Sequence, residues 1–319
     1  MIVAGFDEAG YGPKLGPLVV AGVAFEVEGA RLGEAGDLWE LLGPAVRRTA
    51  RGDDGAVWVA DSKAIKPRKG GLRNLELGVL AFRGPGGAPR TLAELLTALG
   101  DDPGACGAQA WFADLAGVEL PAYCWSGEVA SRAERLGEAG ASAGVRFVGA
   151  EARVLDARRY NARIAATGNK ATVLGETFAD LLAALRAQTE GPLDVVADKH
   201  GGRRVYLRLL GRAFPLCPID PLREGDQESV YRVRTPRGPV QVAFRQGGEE
   251  ASLAVALASM HCKYLRELLM GRFNAWFRER LPELRPTAGY AVDAGRFLEE
   301  VRPALPDLGV SLDALVRAR

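Results

Sequence analysis

The 319-residue chain has little of what many catalytic sites require. Only two histidines occur, His200 and His261, so a zinc site or a histidine-based triad has few residues to draw on. Its cysteines are scattered without paired metal-ligand spacing, and we expect reduced thiols at all four: Cys106, Cys124, Cys217 and Cys262.

Long hydrophobic runs and net charge are lacking too. No apolar run is long enough to cross a bilayer and no charged-then-apolar leader begins the chain, so we expect a cytoplasmic protein that acts away from membranes. Lys plus Arg total 41 and Asp plus Glu total 40, so a nucleic-acid partner would have to bind a local patch. At 48% hydrophobic residues, the chain can bury a large core, and we expect a monomer.

The most informative stretch covers residues 2–23. An apolar run leads to two adjacent carboxylates, Asp7 and Glu8, and a glycine-rich turn and a second apolar run follow. Acids at a strand end beside exposed backbone amides suit a divalent metal next to phosphate. A β-hairpin with solvated acids is equally compatible with this spacing.

The glycines of this turn superficially suggest a dinucleotide-binding loop. In such a loop, Gly10, Gly12 and Gly16 would open a helix whose N-terminus holds pyrophosphate. Pro13 and Pro17 interrupt the segment, however, and the β-branched residues that follow favour a strand. The pattern therefore predicts strand–turn–strand and excludes the nucleotide-binding fold.

Residues 7–13, Asp-Glu-Ala-Gly-Tyr-Gly-Pro, and 16–21, Gly-Pro-Leu-Val-Val-Ala, resemble the opening of the type 2 ribonucleases H, the ribonuclease HII and HIII family. The family has Arg, Lys or Thr where this chain has Tyr11. The resemblance implies an α/β fold: a ribonuclease H-like mixed sheet flanked by helices, with a helical C-terminal region and insertions. One catalytic domain spanning 1–319 is expected, without the N-terminal extension of ribonuclease HIII.

The resemblance extends to two further acids. An apolar strand ends at Asp198, which matches the family's third catalytic aspartate, while Asp194 at the strand's start is expected to be capping or solvated. A long helix is predicted over 251–270, and its alignment with the family's Ser/Ala-rich helix puts Glu267 at the fourth carboxylate. Lys263 shares that helix face, so a surface ion pair is the alternative reading of Glu267.

Other motif positions are implied to contact substrate. Ser62 and Lys63 follow Asp61 as in the family and are expected to hold the substrate backbone, although a helix cap by Asp61 or Ser62 is the alternative. Tyr290 keeps the family's Gly-Tyr dipeptide, whose tyrosine packs on a deoxyribose, but Ala288 replaces the lysine that precedes it in ribonuclease HII.

Two segments fall outside the family pattern. Residues 66–127 are expected to form an insertion whose aromatic residues build a small core of their own, although aromatics can also stack on bases. A β-hairpin is predicted at about 229–245, and its arginines either lie along phosphates or form a solvated face. The residues concerned are Arg232, Arg234, Arg237 and Arg245.

Together these positions predict a reaction. Asp7, Glu8, Asp198 and Glu267 would hold two Mg²⁺ or Mn²⁺ ions, and the amides of Gly10, Tyr11 and Gly12 would read a 2′-hydroxyl. The expected function is a metal-dependent endoribonuclease that hydrolyses the RNA strand of RNA–DNA hybrids or cuts at embedded ribonucleotides. The alternatives are a catalytically weak paralogue that binds hybrid or structured nucleic acid, and a ribonuclease H-fold nuclease that acts on DNA.

Overall fold

The structure is a computed structural model that describes residues 1–49, 54–66, 68, 70–84 and 86–318. Parts of residues 30–55, whose sequence is polar and rich in glycine, and of the expected insertion at 66–127 therefore lie outside the described residues. The sequence also predicts a helix over 312–319, and its last residue, Arg319, lies outside them too.

A mixed sheet of seven strands forms the centre of the described chain, in the order β5-β2-β1-β6-β9-β8-β7. The first strand pairs antiparallel with the second and parallel with the sixth, so the predicted mixed sheet is confirmed. Two short strands pair separately. The strands are β1 (Ile2–Ala9), β2 (Leu18–Val27), β3 (Val46–Arg47), β4 (Val57–Trp58), β5 (Val145–Leu155), β6 (Leu193–Asp198), β7 (Ile219–Glu224), β8 (Glu228–Thr235) and β9 (Gly238–Arg245).

Helices cover both faces of the sheet, with α11, α3 and α6 over one hydrophobic core and α7, α8 and α9 over the other. Within the described residues, no helix is both long and apolar enough to traverse a membrane. The helices are α1 (Leu38–Leu41), α2 (Ser62–Ile65), α3 (Gly71–Ala81), α4 (Leu92–Ala98), α5 (Pro103–Gly107), α6 (Ser126–Ala143), α7 (Ala157–Thr167), α8 (Lys170–Gln188), α9 (Leu207–Ala213), α10 (Gly248–Ala251), α11 (Leu253–Arg280), α12 (Ala291–Val301) and α13 (Leu312–Leu315).

The contact between β1 and α11 is unusually close. A Cβ atom added at Gly5 would lie 2.1 Å from the backbone nitrogen of Val255, so only glycine lets the helix backbone approach the strand at this point. The helix runs beneath the strand that carries Asp7 and Glu8. Their backbone is therefore fixed by packing rather than by a flexible turn.

The helix predicted over 251–270 differs at both ends from α11. Ser252 has an extended backbone, so the predicted helix is interrupted there and α10 and α11 are separate helices. Beyond residue 270, Phe273, Trp276 and Phe277 recur at helical spacing and are all buried, which explains why α11 continues to Arg280. Glu267 therefore lies inside a long helix rather than near its end.

The aromatic residues of segment 66–127 do not form a separate small core. The ring centroid of Trp111 lies 5.5 Å from that of Phe273 and 5.8 Å from that of Phe277, both on α11. The segment therefore contributes to the main core of the described chain. Whether it is an insertion relative to other proteins stays a prediction.

The predicted hairpin forms as β8 and β9, and β9 extends the sheet beside β6. The edge strand β7, which pairs with β8, is not among the strands predicted from the sequence. Its residues are mostly exposed and include Pro221, so it lacks the alternating apolar pattern by which strands are identified.

Candidate active site

Two neighbouring parallel strands carry Asp7 and Asp198 to the same place in the sheet. The register pairs Phe6 of β1 with Ala197 of β6, so the two aspartates are the next residues along their strands. Adjacent strands lie about 4.8 Å apart. Both acids were predicted from strands that end in acid and glycine, and the pairing of β1 with β6 places them side by side.

The acids of this region lie among like charges, with Asp7 buried and Glu8 and Asp198 half-buried. Burial and then the charge of Glu8 raise the pKa of Asp7 well above its ordinary value, against a hydrogen bond from Ser259. Burial and then Asp198 and Glu249 raise the pKa of Glu8 to about 7, while Lys63 opposes them. Burial likewise raises the pKa of Asp198. Such mutual perturbation is typical of functional sites.

Glu249, which is not among the site residues predicted from the sequence, also belongs to this group. It lies on α10, is 6% exposed, and its charge acts on Asp7, Glu8 and Asp198. The backbone N–H of Gly248 donates to Asp198 Oδ1 at 3.2 Å, which fixes α10 against the end of β6. A signal was present, because Glu249 follows two glycines just after a strand. We call Asp7, Glu8, Asp198 and Glu249 the acid cluster.

Lys63 is the cation of the acid cluster. Its Nζ donates to Glu249 Oε1 at 3.1 Å and lies 3.8 Å from Asp61 Oδ2. Burial alone would lower the pKa of Lys63, but the charges of Glu249 and Asp61 outweigh it and raise that pKa. The side chain is still 78% exposed, so this ammonium also faces solvent beside the acids.

Ser62 and Asp61 have structural partners. Asp61 caps α2 by accepting from the N–H of Lys63 at 2.9 Å, as one of the two alternatives for this motif predicted. The hydroxyl of Ser62 is buried and lies 3.0 Å from that of Ser259, which in turn bonds Asp7. Ser62 thus supports the acid cluster through Ser259, and direct contact with substrate stays a prediction.

The glycine-rich loop between β1 and β2 is packed tightly against α11. Gly10 has a positive φ of 86°, and a Cβ atom there would lie 2.4 Å from the carbonyl oxygen of Pro17. Arg266 reaches this loop from α11, where its Nη2 donates to Leu15 O and, at 2.9 Å, to Ala288 O. A Cβ atom at Gly12 would meet nothing within 4 Å, so that part of the loop faces open space.

Tyr11 and Tyr290 lie on this face. The Nζ of Lys170 lies 5.0 Å from the ring centroid of Tyr11, so a cation is present near the position where the family has Arg or Lys. Tyr290 is 52% exposed, and the guanidinium of Arg266 lies 5.7 Å from its ring centroid. The N–H of Lys14 donates to Gly289 O at 2.8 Å, which ties the 288–290 segment to the glycine-rich loop.

Glu267, expected as the fourth acid, has basic neighbours. Its Oε1 lies 2.8 Å from Lys263 Nζ and 3.6 Å from Lys66 Nζ. Although burial alone would raise it, the pKa of Glu267 is lowered by Lys263, Lys66 and Arg266. The structure thus brings Asp7, Glu8 and Asp198 together with Glu249 and gives Glu267 a different setting.

Neither histidine is placed for acid–base work near neutral pH. Burial lowers the pKa of His200 to about 4 and that of His261 to about 3. His200 packs among the rings of Phe178, Tyr206 and Phe244. The four cysteines are free, as expected for reduced thiols.

Each of the four hairpin arginines has a partner in the protein. Arg232 donates to Gln241 Oε1 at 2.8 Å, and Arg234 lies 3.5 Å from Asp220. Arg237 pairs with Glu190 and Arg245 with Glu228. These exposed pairs are weak and are compatible with a solvated face, so phosphate contact by the hairpin stays a prediction.

The donor chemistry of the acid cluster fits Mg²⁺ or Mn²⁺. Carboxylate oxygens are the ligands these hard cations prefer, and a cation would relieve the repulsion that raises the pKa values of Asp7 and Glu8. As the side chains stand, no three His, Cys, Asp or Glu residues of the described ranges form a group that could hold a metal ion. Binding would therefore require the carboxylates to turn toward one another.

Solved structures with similarity to this chain share one activity in their names. Ribonuclease HII of Archaeoglobus fulgidus, solved with PCNA, is 18% identical, with 100% of this chain and 95% of that chain covered and a TM-score of 0.41. Ribonuclease H2 of Pyrococcus horikoshii is 14% identical, with 99% and 92% covered and a TM-score of 0.43. Bst ribonuclease HIII with Mn²⁺ is 16% identical, with 99% and 66% covered and a TM-score of 0.38. All three are ribonucleases H.

No protein-family model matches the chain, and no curated protein matches it. TM-scores below 0.5 at 14% to 18% identity do not establish a shared activity.

Proposed function

We propose that this protein is a metal-dependent endoribonuclease that hydrolyses the RNA strand of RNA–DNA hybrids. The observation that carries the proposal is the convergence of four acids beside a glycine-rich loop: Asp7 and Glu8 at the end of β1, Asp198 at the end of the neighbouring β6, and Glu249 on α10, which Gly248 holds against Asp198. Asp7 and Glu249 are buried, and Glu8 and Asp198 are half-buried. Bringing like charges together away from water costs free energy unless a cation compensates for it, and such groups of acids often mark functional sites. The likeness to the opening motif of type 2 ribonucleases H gives the same reaction.

Asp7, Glu8 and Asp198 would hold the metal, and for the fourth acid we propose Glu249 in place of Glu267. Glu249 acts on all three other carboxylates, whereas Glu267 is paired with two lysines. When bound, Mg²⁺ or Mn²⁺ activates water and neutralises charge on the phosphate that is attacked. Carboxylate chemistry of this kind needs no histidine, in keeping with the burial of His200 and His261.

The chain's own residues would bind and orient the substrate. The exposed ammonium of Lys63 can contact a phosphate oxygen next to the acid cluster. The amides of Gly10, Tyr11 and Gly12 lie on the loop that follows Glu8, where an amide can recognise a 2′-hydroxyl and so distinguish RNA from DNA. Tyr290, held beside that loop, presents a ring to a sugar.

Cleavage of matched duplexes tests the proposal. RNA–DNA, RNA–RNA and DNA–DNA duplexes of one sequence are incubated with the protein and Mg²⁺ or Mn²⁺, with EDTA as the metal-free arm. Metal-dependent cuts confined to the RNA of the hybrid are expected. Glu250→Gln is the matched control for Glu249→Gln, because Glu250 is adjacent but exposed. Cleavage of DNA–DNA alone would contradict the proposal.

A second candidate is a hybrid-binding protein with weak catalysis. One observation favours it, since no three carboxylates of the described residues form a ready-made metal-ligand group. A hybrid-binding protein of this kind would bind the hybrid in the same assays, with or without metal, and would not cut it. Measurement of binding alongside cleavage therefore separates the two functions.

A further inference from the structure

An aromatic loop at residues 121–125 is held rigidly although its aromatic side chains face solvent. Glu76 is fully buried, and its carboxylate accepts from the backbone N–H groups of Ala122, Tyr123 and Cys124 at 2.6, 2.7 and 2.8 Å. Tyr264 donates to the same carboxylate at 2.5 Å. With all its oxygens satisfied, the buried acid fixes three successive residues of the loop.

The loop presents two aromatic rings outward. Trp125 is 75% exposed and Tyr123 is 40% exposed. The other four tryptophans of the chain are buried, each at 8% exposure or less: Trp39, Trp58, Trp111 and Trp276. Three atoms of the Trp125 ring lie 2.3 to 2.6 Å from where a Cβ atom on Gly127 would be, so glycine at 127 lets the ring lie over the start of α6.

Two lysines lie near this loop. Tyr264, which donates to the Glu76 carboxylate beneath the loop, lies three residues before Glu267 on α11, so the two side chains are neighbours on that helix. The charge of Glu267 also contributes, after burial and Glu76, to the raised pKa of Tyr123. Glu267 in turn holds Lys263 at 2.8 Å and Lys66 at 3.6 Å. We call Lys66, Lys263 and Glu267 the lysine patch.

The lysine patch is continuous with the acid cluster through two helices. Ser259, which bonds Asp7, lies eight residues before Glu267 on α11, which corresponds to about 12 Å along the helix. Lys63, which pairs with Glu249 of the acid cluster, and Lys66, which pairs with Glu267, lie three residues apart at α2. A duplex lying along α11 would rise about 3.4 Å per base pair, so in that orientation the lysine patch is roughly three or four base pairs from the acids.

We propose that the aromatic loop and the lysine patch bind the nucleic-acid substrate three or four nucleotides from the cut site. The lysines would contact a phosphate, and Trp125 with Tyr123 would pack on the apolar face of an adjacent nucleotide. A rigid loop loses little conformational freedom on binding, so exposed rings here favour association. The proposal rests on the proposed function, because it assigns more of the same substrate to a second region.

Tryptophan fluorescence tests the contact without catalysis. Because Trp125 is the exposed tryptophan, titration of RNA–DNA hybrid without divalent metal should quench the emission of the wild-type protein. Trp125→Phe should abolish that quenching while keeping most of the affinity. Trp125→Ala should weaken hybrid binding by about 10-fold. Gly127→Ala, which displaces the ring without removing it, should weaken binding to a smaller extent.

Substrate length separates a contact from a folding effect. The loss of hybrid affinity caused by Trp125→Ala should appear with hybrids that extend six or more base pairs on both sides of the cut site. It should vanish with hybrids that end two base pairs beyond it. Leu222→Ala removes another exposed apolar side chain, on β7, and should change the affinity for neither the long nor the short hybrids.

The outcomes distinguish this inference from the proposed function. Unchanged fluorescence and affinity in a protein that still binds and cuts hybrid would overturn the aromatic contact alone. A protein that binds no hybrid of any length would overturn both proposals. An equal loss of affinity for short and long hybrids would show that Trp125 acts through the fold and would also overturn the contact.

Discussion

Glu249 and Glu267 lie on neighbouring helices, yet one belongs to the acid cluster and the other to the lysine patch. Glu249 has Asp7, Glu8 and Asp198 around it and Lys63 as its cation. Glu267 has two lysines at salt-bridge distance. The same residue type thus has an excess of negative charge around it in one place and an excess of positive charge in the other.

The difference matters for function because only unbalanced acids attract a metal ion strongly. A carboxylate that already pairs with ammonium groups has less to gain from a cation, while one held among carboxylates gains most. Lysines, in turn, are suited to phosphate. The two regions therefore divide the proposed work, with metal at the acid cluster and substrate backbone at the lysine patch.

The largest expected effect comes from replacing the two glutamates, one in each region, by the uncharged glutamine. Glu249→Gln should lower hybrid cleavage by roughly 100-fold or more, because it removes a charge that the metal site requires. Glu267→Gln should lower it much less and act mainly on substrate affinity. Steady-state kinetics with Mg²⁺ measures both. A greater loss of turnover in Glu267→Gln would restore Glu267 as the fourth acid.

The packing that supports both regions is the next target. Gly5→Ala should destabilise the protein by about 3 kcal/mol, because the new Cβ atom would overlap the backbone of α11. Gly137→Ala on α6 is the matched control, since nothing lies near its added Cβ atom and alanine favours a helix. Urea denaturation measures both. Equal stability of the two variants would contradict the close approach of β1 and α11.

Metal binding by itself should stabilise the protein through the acid cluster. At a Mn²⁺ concentration near 100 times its dissociation constant, the gain should be about 2.7 kcal/mol, visible as a rise in Tm. Glu267→Gln should keep this rise and Glu249→Gln should lose most of it. Thermal melts with Mn²⁺ and with EDTA provide the measurement, and a rise of equal size in both variants would place the metal elsewhere.

The smallest expected effect concerns Asp194, a buried acid away from both regions. Burial raises its pKa, against the N–H of Gly33 that donates to Oδ2 at 3.0 Å. Because the pKa of Asp194 is higher in the folded than in the unfolded chain, its ionisation destabilises the folded protein at pH values above the unfolded-state pKa. Asp194→Asn should therefore stabilise the folded protein slightly at pH 7. The gain should disappear as the pH falls below about 4, where the unfolded aspartate is also protonated. Urea midpoints at pH 7 and pH 3.5 test the sign.

Much of the fold was predictable because it depends on local pattern. The runs around Asp7 and before Asp198 were identified as apolar stretches that end in acid and glycine, and the hairpin at about 229–245 from its turn residues; all three form strands of one sheet. Asp194 shows the limit of such reasoning. It was expected to be capping or solvated, but the loop at Gly33 covers it and leaves it 7% exposed.

By itself, the sequence determined which strands end in acid and glycine, because apolar runs and turn residues are patterns among near neighbours in the chain. Only the tertiary structure decided which acids meet. The extended Ser252 separates α10 from α11, so Glu249 on α10 is held against Asp198. Glu267 lies on α11 beside Lys66, which follows α2. Charge acts through space, and an acid's neighbours at distant sequence positions become known only once the chain has folded.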